Sequence, residues 1–399
     1  MKWNRRDFIA KPLTWFAASQ VLGGLEFLHA ENLPAGEIIH RTLGKTGISL
    51  PVVSMGVMNA NMPAVVRRAY EVGIRHFDTA AGYQNGRNEE MLGTVIKELG
   101  VRDKVTVATK IHIMPAKLHD ATVKADMRAI FEGSLRRLQM DHVDIVYFHA
   151  IDTAEAAGLE APMELFTALK KEGKARFIGV STHSGAEQVV NEITKNGVYD
   201  VALVAFNYTM AQDKGLQDAL ARAASKGVGL VAMKTQAGGT AKPDPKLPKS
   251  LAPSSQTALL KWVLQNPSFT TAIPGFTNFE QLEQNFSAAR NLAYTPAEKD
   301  FLGDKNFRAN AEFCQQCSKC RADCPLQVDI PTLMRSHMYA VQYSNHGLAR
   351  ETLASISAGR GLDACAACGS CKATCRETVN IARKIDDLKQ ITSAGLFRV

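Results

Sequence analysis

Cysteine is absent between Met1 and Phe313 of this 399-residue chain, and all eight cysteines lie in its last quarter. Such segregation predicts a separate C-terminal module with its own chemistry. The composition, 46% hydrophobic and 22% charged, is typical of a globular protein. The length allows a large core and exceeds that of one compact domain of usual size.

Runs of basic residues are also missing. The net charge of +8 is modest for the length, and the lysines and arginines are scattered along the chain. A nucleic-acid-binding protein concentrates its positive charge in a patch or an arm. We therefore expect no nucleic-acid partner.

The N-terminus lacks an apolar run long enough to span a bilayer. The stretch from Leu13 to Phe27 is short and is interrupted by polar residues and glycines. Before it stands Asn4-Arg5-Arg6-Asp7-Phe8-Ile9-Ala10-Lys11, which resembles a twin-arginine export signal. We expect a signal peptide over residues 1–30, cleaved after Ala30, a periplasmic or extracytoplasmic location, and no stable membrane span in the mature protein. The alternative is a basic terminus with an amphipathic helix.

A G-x-G-x-x-G turn is missing after the first predicted strand, which disfavours a doubly wound open sheet. Eight apolar, β-rich runs instead alternate with stretches of helical period, which predicts an α/β fold with a (β/α)8 TIM barrel over residues 37–300. The predicted strands are Pro51–Val57, His76–Ala80, Val105–Lys110, Val143–His149, Ala175–Ser181, Val201–Asn207, Gly229–Lys234 and Thr270–Pro274.

Polar residues stand where three consecutive strands end: Asp78 with Tyr83 in the next loop, Lys110, and His149. In a barrel of this kind the catalytic residues cluster at this rim. Carbonyl reduction by hydride needs a proton donor at the oxygen, and a tyrosine beside an ammonium group can fill that role. We expect Lys110 to lower the pKa of Tyr83, Asp78 to hold Lys110, and His149 to orient the substrate oxygen.

These residues resemble the aldo-keto reductase family. The likeness runs through Phe77-Asp78-Thr79-Ala80 with Tyr83, Glu89-x-x-Leu92-Gly93, Thr109-Lys110, Asp144 with His149, and Gly179-Val180-Ser181. It implies a nicotinamide cofactor extended across the barrel mouth and a catalytic tetrad of Asp78, Tyr83, Lys110 and His149.

The nicotinamide pocket departs from the family pattern. Thr182 replaces the usual asparagine beside Ser181, and Gln281 stands where an arginine often binds the 2′-phosphate of NADP. No Lys or Arg occurs from Thr270 to Ala289, which favours NAD over NADP because a buried phosphate needs a cationic partner. The expected cofactor contacts are Ser181, Thr182, Lys234, Gly275, Gln281, Gln284 and Asn285.

The C-terminal cysteines form two runs of C-x-x-C-x-x-C-x-x-x-C spacing, from Cys314 to Cys324 and from Cys365 to Cys375. This spacing resembles the bacterial ferredoxin run, whose fourth cysteine ligates the other cluster. The resemblance implies a mainly helical dicluster [4Fe–4S] domain over residues 308–399. Structural zinc and disulfides are the alternatives, and both fit the tight triple spacing poorly. The expected ligands are Cys314, Cys317, Cys320 and Cys375 for one cluster, and Cys365, Cys368, Cys371 and Cys324 for the other.

Together these features predict an exported oxidoreductase that interconverts a carbonyl and an alcohol and passes electrons through its clusters to a partner. A sugar or polyol is the expected substrate class. Two alternatives stay open: a catalytically silent redox relay or sensor with nucleotide as a fixed ligand, and an internal redox loop with structural clusters.

Overall fold

The computed structural model describes residues 36–237, 253–304, 313–377 and 379–395. The expected signal peptide, residues 1–30, lies outside the described residues. Ala35–Val399 forms one compact unit, so the barrel and the C-terminal helices pack against each other. No helix in the described ranges combines the length and the apolar character that a bilayer-spanning segment needs.

Eight parallel strands form the barrel and pair in the order of the sequence. Bridges from Val53 to Ala272 and from Gly56 to Gly275 join the last strand to the first, which nearly closes the sheet. The strands are β3 (Met55–Gly56), β4 (His76–Asp78), β5 (Thr106–Ile111), β6 (Val143–Phe148), β7 (Ala175–Thr182), β8 (Val201–Ala205), β9 (Gly229–Met233) and β10 (Thr271–Ala272). The predicted (β/α)8 barrel is confirmed.

The first predicted strand, Pro51–Val57, is divided in the structure. Pro51 pairs with His40 in an antiparallel hairpin of β1 (His40–Thr42) and β2 (Ser49–Pro51), and Met55–Gly56 forms the barrel strand, preceded by the bridge from Val53 to Ala272. Leu43, Ile48 and Leu50 of the hairpin are buried with the barrel's interior side chains. The hairpin therefore fills one end of the barrel, a role that a continuous apolar run does not reveal.

Amphipathic helices surround the sheet because each buries one apolar face against the strands. Helix α2 lies so close to α3 that a Cβ on Gly93 would stand 2.3 Å from the Leu138 carbonyl oxygen. The helices of this region are α1 (Pro63–Val72), α2 (Arg87–Leu99), α3 (Val123–Leu138), α4 (Ala154–Ala157), α5 (Glu160–Lys171), α6 (Ala186–Asn196), α7 (Lys214–Ser225), α8 (Pro253–Leu264), α9 (Phe279–Ser287) and α10 (Pro296–Gly303).

The C-terminal region is helical, as expected, and has its own small core. Its helices are α11 (Ile330–His337), which continues into a π-helical turn over Met338–Gln342, α12 (His346–Ala354), α13 (Leu362–Ala366) and α14 (Ile381–Ser393). Leu333, Ile385 and Leu388 are buried at its centre, and five of the cysteines pack against this cluster. The region therefore holds the cysteine motifs around a core separate from that of the barrel.

Candidate active site and cysteine clusters

A buried ion pair marks the carboxyl ends of β4 and β5. The Lys110 ammonium donates hydrogen bonds to the Asp78 carboxylate and, at 2.6 Å, to the Thr79 carbonyl oxygen. Both charged side chains are almost inaccessible, at 1% and 2% exposure. Burial lowers the pKa of Lys110, and the neighbouring carboxylate of Asp78 opposes that change. The carboxylate therefore stabilises the charged form of the lysine.

Tyr83 stands beside this pair. The Lys110 Nζ lies 5.0 Å from the centroid of the Tyr83 ring. Burial raises the pKa of Tyr83, and the negative charges of Asp78 and Glu351 raise it further. We expected Lys110 to lower the pKa of Tyr83, but the pKa is raised. The charge of Lys110 is paired with that of Asp78. Tyr83 is consequently protonated at neutral pH and suited to donate a proton.

His149 completes the predicted group just after β6. Its ring centroid lies 6.0 Å from that of Tyr83, in an edge-to-face arrangement, and 5.8 Å from that of His112. Burial and the charge of Lys110 hold the pKa of His149 well below its ordinary value. A neutral imidazole offers one donor and one acceptor to a substrate oxygen. The structure thus brings all four predicted catalytic side chains to one rim.

A cavity of ≈ 560 Å³ connects this group with part of the predicted cofactor site. Asp78 and Tyr83 line one part of it, and Lys234, Gly275 and Gln281 line another. Gly275 is exposed and lies next to the backbone of Gly56, so a ligand can approach the backbone closely at this position. The residues along this cavity fit an extended ligand that reaches the catalytic group.

The other predicted cofactor residues bond within the protein. The Ala150 amide donates to Ser181 Oγ at 3.0 Å, and Thr182 Oγ1 donates to the Ser184 carbonyl at 2.8 Å. Asn285 donates to the Gln281 carbonyl oxygen at 2.7 Å on α9, the helix that also carries Gln284. In this structure, Ser181 and Thr182 hold the loops after β6 and β7, and Asn285 stabilises α9.

A second cavity, of ≈ 600 Å³, opens on the other side of Tyr83. The barrel and the C-terminal helices line it together: Tyr83, His112, His149 and His183 from the barrel, and Arg335, Tyr339 and Glu351 from the helices. His112, His183 and the three helix residues were not predicted from the sequence. His112 and His183 closely follow predicted strands, so their positions in the sequence could have indicated them. The three helix residues reach the site only through tertiary packing, which the sequence does not reveal.

Arg335 links α11 to the barrel rim through an ion pair. It is 8% exposed and donates to Asp152 Oδ2 at 3.3 Å. The other oxygen of Asp152 accepts hydrogen bonds of 3.0 Å from the backbone amides of His183 and Ser184. Arg335 thus connects the C-terminal helices with the loops after β6 and β7.

Lys234 lies against two aromatic rings of the C-terminal region. Its Nζ is 4.6 Å from the centroid of the Tyr339 ring and 5.1 Å from that of Tyr343. Burial, followed by the charges of Arg335 and Lys110, lowers the pKa of Lys234 to about 7. Ring faces stabilise a cation less than a carboxylate does, so this ammonium is poorly compensated.

The cysteines gather in two groups. Burial raises the pKa of Cys314 to about 12, and Cys320, Cys317 and Cys375 add to that rise. The pKa of Cys365 is raised to about 11, first by burial and then with contributions from Cys371, Cys324 and Cys368. Each group therefore combines three thiols of one motif with the fourth thiol of the other motif, the grouping that the ferredoxin-like spacing implies.

All eight cysteines are free thiols. Across the described ranges, no three His, Cys, Asp or Glu side chains have the placement that a single metal ion would need. Four thiols around a cluster of four iron atoms are farther apart than four thiols around one zinc ion. The grouping of three thiols of one motif with the fourth of the other is the one that the ferredoxin-like cluster motif implies.

Two sequence families match the chain. The Aldo/keto reductase family matches residues 56–257, and a 4Fe-4S dicluster domain matches residues 313–380. The chain belongs to the aldo/keto reductase family. It is an oxidoreductase with a C-terminal 4Fe-4S dicluster domain, and the family implies a small-molecule carbonyl or alcohol substrate.

Relatives cover most of the barrel. L-glyceraldehyde 3-phosphate reductase of Escherichia coli K12 is 27% identical, covering 66% of this chain and 91% of its own length. L-galactose dehydrogenase of Arabidopsis thaliana is 28% identical, with coverages of 66% and 92%. The fold matches that of the aldo-keto reductase AKR11C1 from Bacillus halodurans in its holo form, with a TM-score of 0.54, 22% identity, and coverages of 67% and 95%.

Proposed function

We propose that this protein is an exported enzyme that interconverts a carbonyl and an alcohol by hydride transfer and exchanges the electrons through its two clusters. The observation that supports the coupling is the position of the first cysteine motif. Cys314 lines a small cavity together with His183, Lys234 and Arg335 at the barrel mouth. Beside it, Gln315 donates to the Thr209 carbonyl oxygen at 2.7 Å. The cluster ligands thus adjoin the catalytic rim.

The chain's own groups supply the proton chemistry. Tyr83 is protonated and can donate to a carbonyl oxygen as it gains negative charge, and the neutral His149 can hydrogen-bond the same oxygen. Asp78 fixes the position of Lys110, which lies beside the Tyr83 ring. In the reverse direction, the alcohol loses one proton to this group and one hydride to the cofactor.

The cofactor that we propose is a nicotinamide nucleotide, with NAD favoured over NADP. Bound nicotinamide would accept or supply the hydride, and the clusters would carry its two electrons one at a time. Lys234, Gly275 and Gln281 line the cavity that would hold it. Arg68, which contacts α9 through Glu283, is paired with Glu71 and Glu283. Its charge is thus already neutralised, which supports NAD because a 2′-phosphate needs a free cation.

The substrate class that we propose is a small sugar or polyol. The second cavity carries hydrogen-bonding side chains on several sides, among them His112, His149, Thr352 and Ser355. Many spaced donors and acceptors suit a polyhydroxylated molecule, since each buried hydroxyl needs a partner. Two relatives carry names that refer to sugar chemistry, L-glyceraldehyde 3-phosphate reductase and L-galactose dehydrogenase, which supports the same class.

The first experiment denatures freshly purified, anaerobically handled mature protein and measures released nucleotide by mass spectrometry. We expect near-stoichiometric NAD(H), because a protein outside the cytoplasm has no supply of free nucleotide. An empty site would contradict a resident cofactor. Cluster reduction by a panel of sugar alcohols, followed by visible absorbance without added nucleotide, then tests the coupling. A requirement for added NAD⁺ would contradict recycling in place.

Export is tested separately by cell fractionation. The double variant Arg5→Lys, Arg6→Lys should keep the protein in the cytoplasm if the twin-arginine signal operates. The unchanged chain should appear in the periplasm with its N-terminus shortened. Equal cytoplasmic retention of both forms would contradict the proposed location and leave the barrel chemistry untouched.

A further inference from the structure

The cations at the barrel mouth differ in how closely carboxylates approach them. Lys110 is matched by Asp78 in a buried pair. Arg335 is paired with Asp152 alone among the described residues, and Lys234 has no ion-pair partner in that part of the chain. A buried cation without a matched anion is costly. Glu351 also lines the second cavity, but it forms no ion pair with Arg335 or Lys234 within the described ranges, so both cations remain available to a ligand anion.

The Arg335 side chain also has hydrogen-bonding capacity to spare. Its three contacts are long: 3.3 Å to Asp152 Oδ2, 3.5 Å to Gln316 Oε1 and 3.5 Å to Thr332 Oγ1. Hydrogen bonds from guanidinium to carboxylate are usually about 2.8 Å, and the planar fork can make two of them in parallel to one acid group. Arg335 forms no such parallel pair of hydrogen bonds with any of these three partners.

The positive charge of Arg335 acts on four basic groups around the cavities. It contributes to the lowered pKa values of His112, His149, His183 and Lys234, after burial as the main cause. These four side chains come from different strand ends of the barrel. Arg335 thus places positive charge close to each of these four side chains.

We propose that Arg335 and Lys234 form an anion-binding subsite for a carboxylate or phosphate group of the substrate. Arg335 lines the second cavity together with Tyr83 and His149, and Lys234 lines the first together with Tyr83. Both also line the small cavity of ≈ 20 Å³, which has room for one oxygen-sized group. One oxygen of such an acid group fits there, and the rest of a small substrate then extends into the cavities that Tyr83 lines. The inference rests on the proposed function for the identity of that substrate.

The subsite is divided between the two domains. Lys234 follows barrel strand β9, whereas Arg335 and both aromatic rings over Lys234 belong to the C-terminal region. A barrel without the C-terminal region would supply only the lysine. The dicluster domain therefore helps to select the substrate in addition to carrying electrons.

The test measures binding of inorganic sulfate and of malonate to the anaerobically purified holoprotein by isothermal titration calorimetry at low ionic strength. We expect both anions to bind, and Arg335→Gln or Lys234→Met to weaken binding by about tenfold or more. Asp152→Asn removes the carboxylate that competes for Arg335, so it should tighten binding by about threefold.

The matched control is Arg383→Gln on the exposed side of α14. It removes the same charge from the same domain and should change anion affinity by less than about twofold, since its side chain is exposed and its charge is screened. Visible absorbance of the clusters and the thermal midpoint verify that each variant is folded. Asp152→Asn keeps the test decisive if the arginine variant does not fold.

A second titration is done with saturating NADH. Anion binding that persists supports a substrate subsite, whereas competition would assign the site to the phosphates of the nucleotide and overturn the proposal. Absence of anion binding to the unaltered protein, or equal losses in Arg335→Gln and Arg383→Gln, would overturn it as well. Anion binding without any NADH binding would support the subsite and count against the nicotinamide chemistry.

Discussion

Charged side chains are paired differently on the two sides of the active site. On the barrel side, Lys110 and Asp78 form a matched, buried ion pair. On the side of the C-terminal helices, Arg335 has only long contacts and Lys234 faces aromatic rings. A matched pair holds a catalytic geometry in advance, whereas unmatched cations leave interaction energy for a ligand. Lys110 and Asp78 are therefore preorganised, whereas Arg335 and Lys234 remain available to a ligand.

The largest effect on the reaction rate is expected for Tyr83, the proton donor beside the Lys110–Asp78 ion pair. Tyr83→Phe should lower kcat/KM for carbonyl reduction by about 10²–10⁴-fold, the usual contribution of general acid catalysis. Steady-state kinetics measures this loss, and chemical reduction of the clusters by dithionite should be unchanged. A rate within threefold or so of the unaltered enzyme, together with normal cluster reduction, would favour the redox relay instead.

Breaking the matched pair should affect stability as well as rate. Lys110→Met leaves Asp78 buried and uncompensated, which should cost about 3–5 kcal/mol in the free energy of unfolding. Denaturant unfolding of the barrel measures this change. The double variant Lys110→Met, Asp78→Asn should recover part of the loss because it removes the stranded charge. No recovery would show that the pair contributes little beyond packing.

The thiol grouping predicts which cysteine variants act alike. Cys314→Ser and Cys375→Ser should disturb the same cluster, although the two residues come from different motifs, and Cys365→Ser should disturb the other. Each should lose roughly half of the bound iron, as one of two clusters fails. Iron analysis and electron paramagnetic resonance of the reduced protein distinguish the two clusters. A shared spectral change for Cys314→Ser and Cys324→Ser would contradict the grouping.

The smallest effect concerns the unmatched side and its pH dependence. The Lys234 pKa is about 7, lowered by burial and by the charges of Arg335 and Lys110, and opposed by Asp78. Anion binding needs the protonated amine, so sulfate affinity should be greatest below pH 7. It should fall by up to about tenfold per pH unit above pH 7. Calorimetry between pH 6 and 9 measures the trend, since sulfate itself does not titrate there. In Lys234→Met the slope should disappear.

Much of the fold was predictable because its signals are local. The alternation of apolar strands with amphipathic helices indicated the barrel, and the residues at three strand ends indicated where Asp78, Lys110 and His149 meet. The strand ends converge because every parallel strand points to the same rim. The pKa of Tyr83 was not predictable, since it depends on burial and on Glu351, which is distant in the sequence.

The sequence by itself determined the family, the eight-unit barrel, the positions of the candidate tetrad and the spacing of the cysteines, because each follows from short-range periodicity or motif spacing. Only the tertiary structure decided that the C-terminal helices cover the barrel mouth and bring Arg335 to Asp152 and Tyr339 to Lys234. Those contacts join residues more than a hundred positions apart through the packing of helix surfaces, and no local pattern encodes which surface meets which.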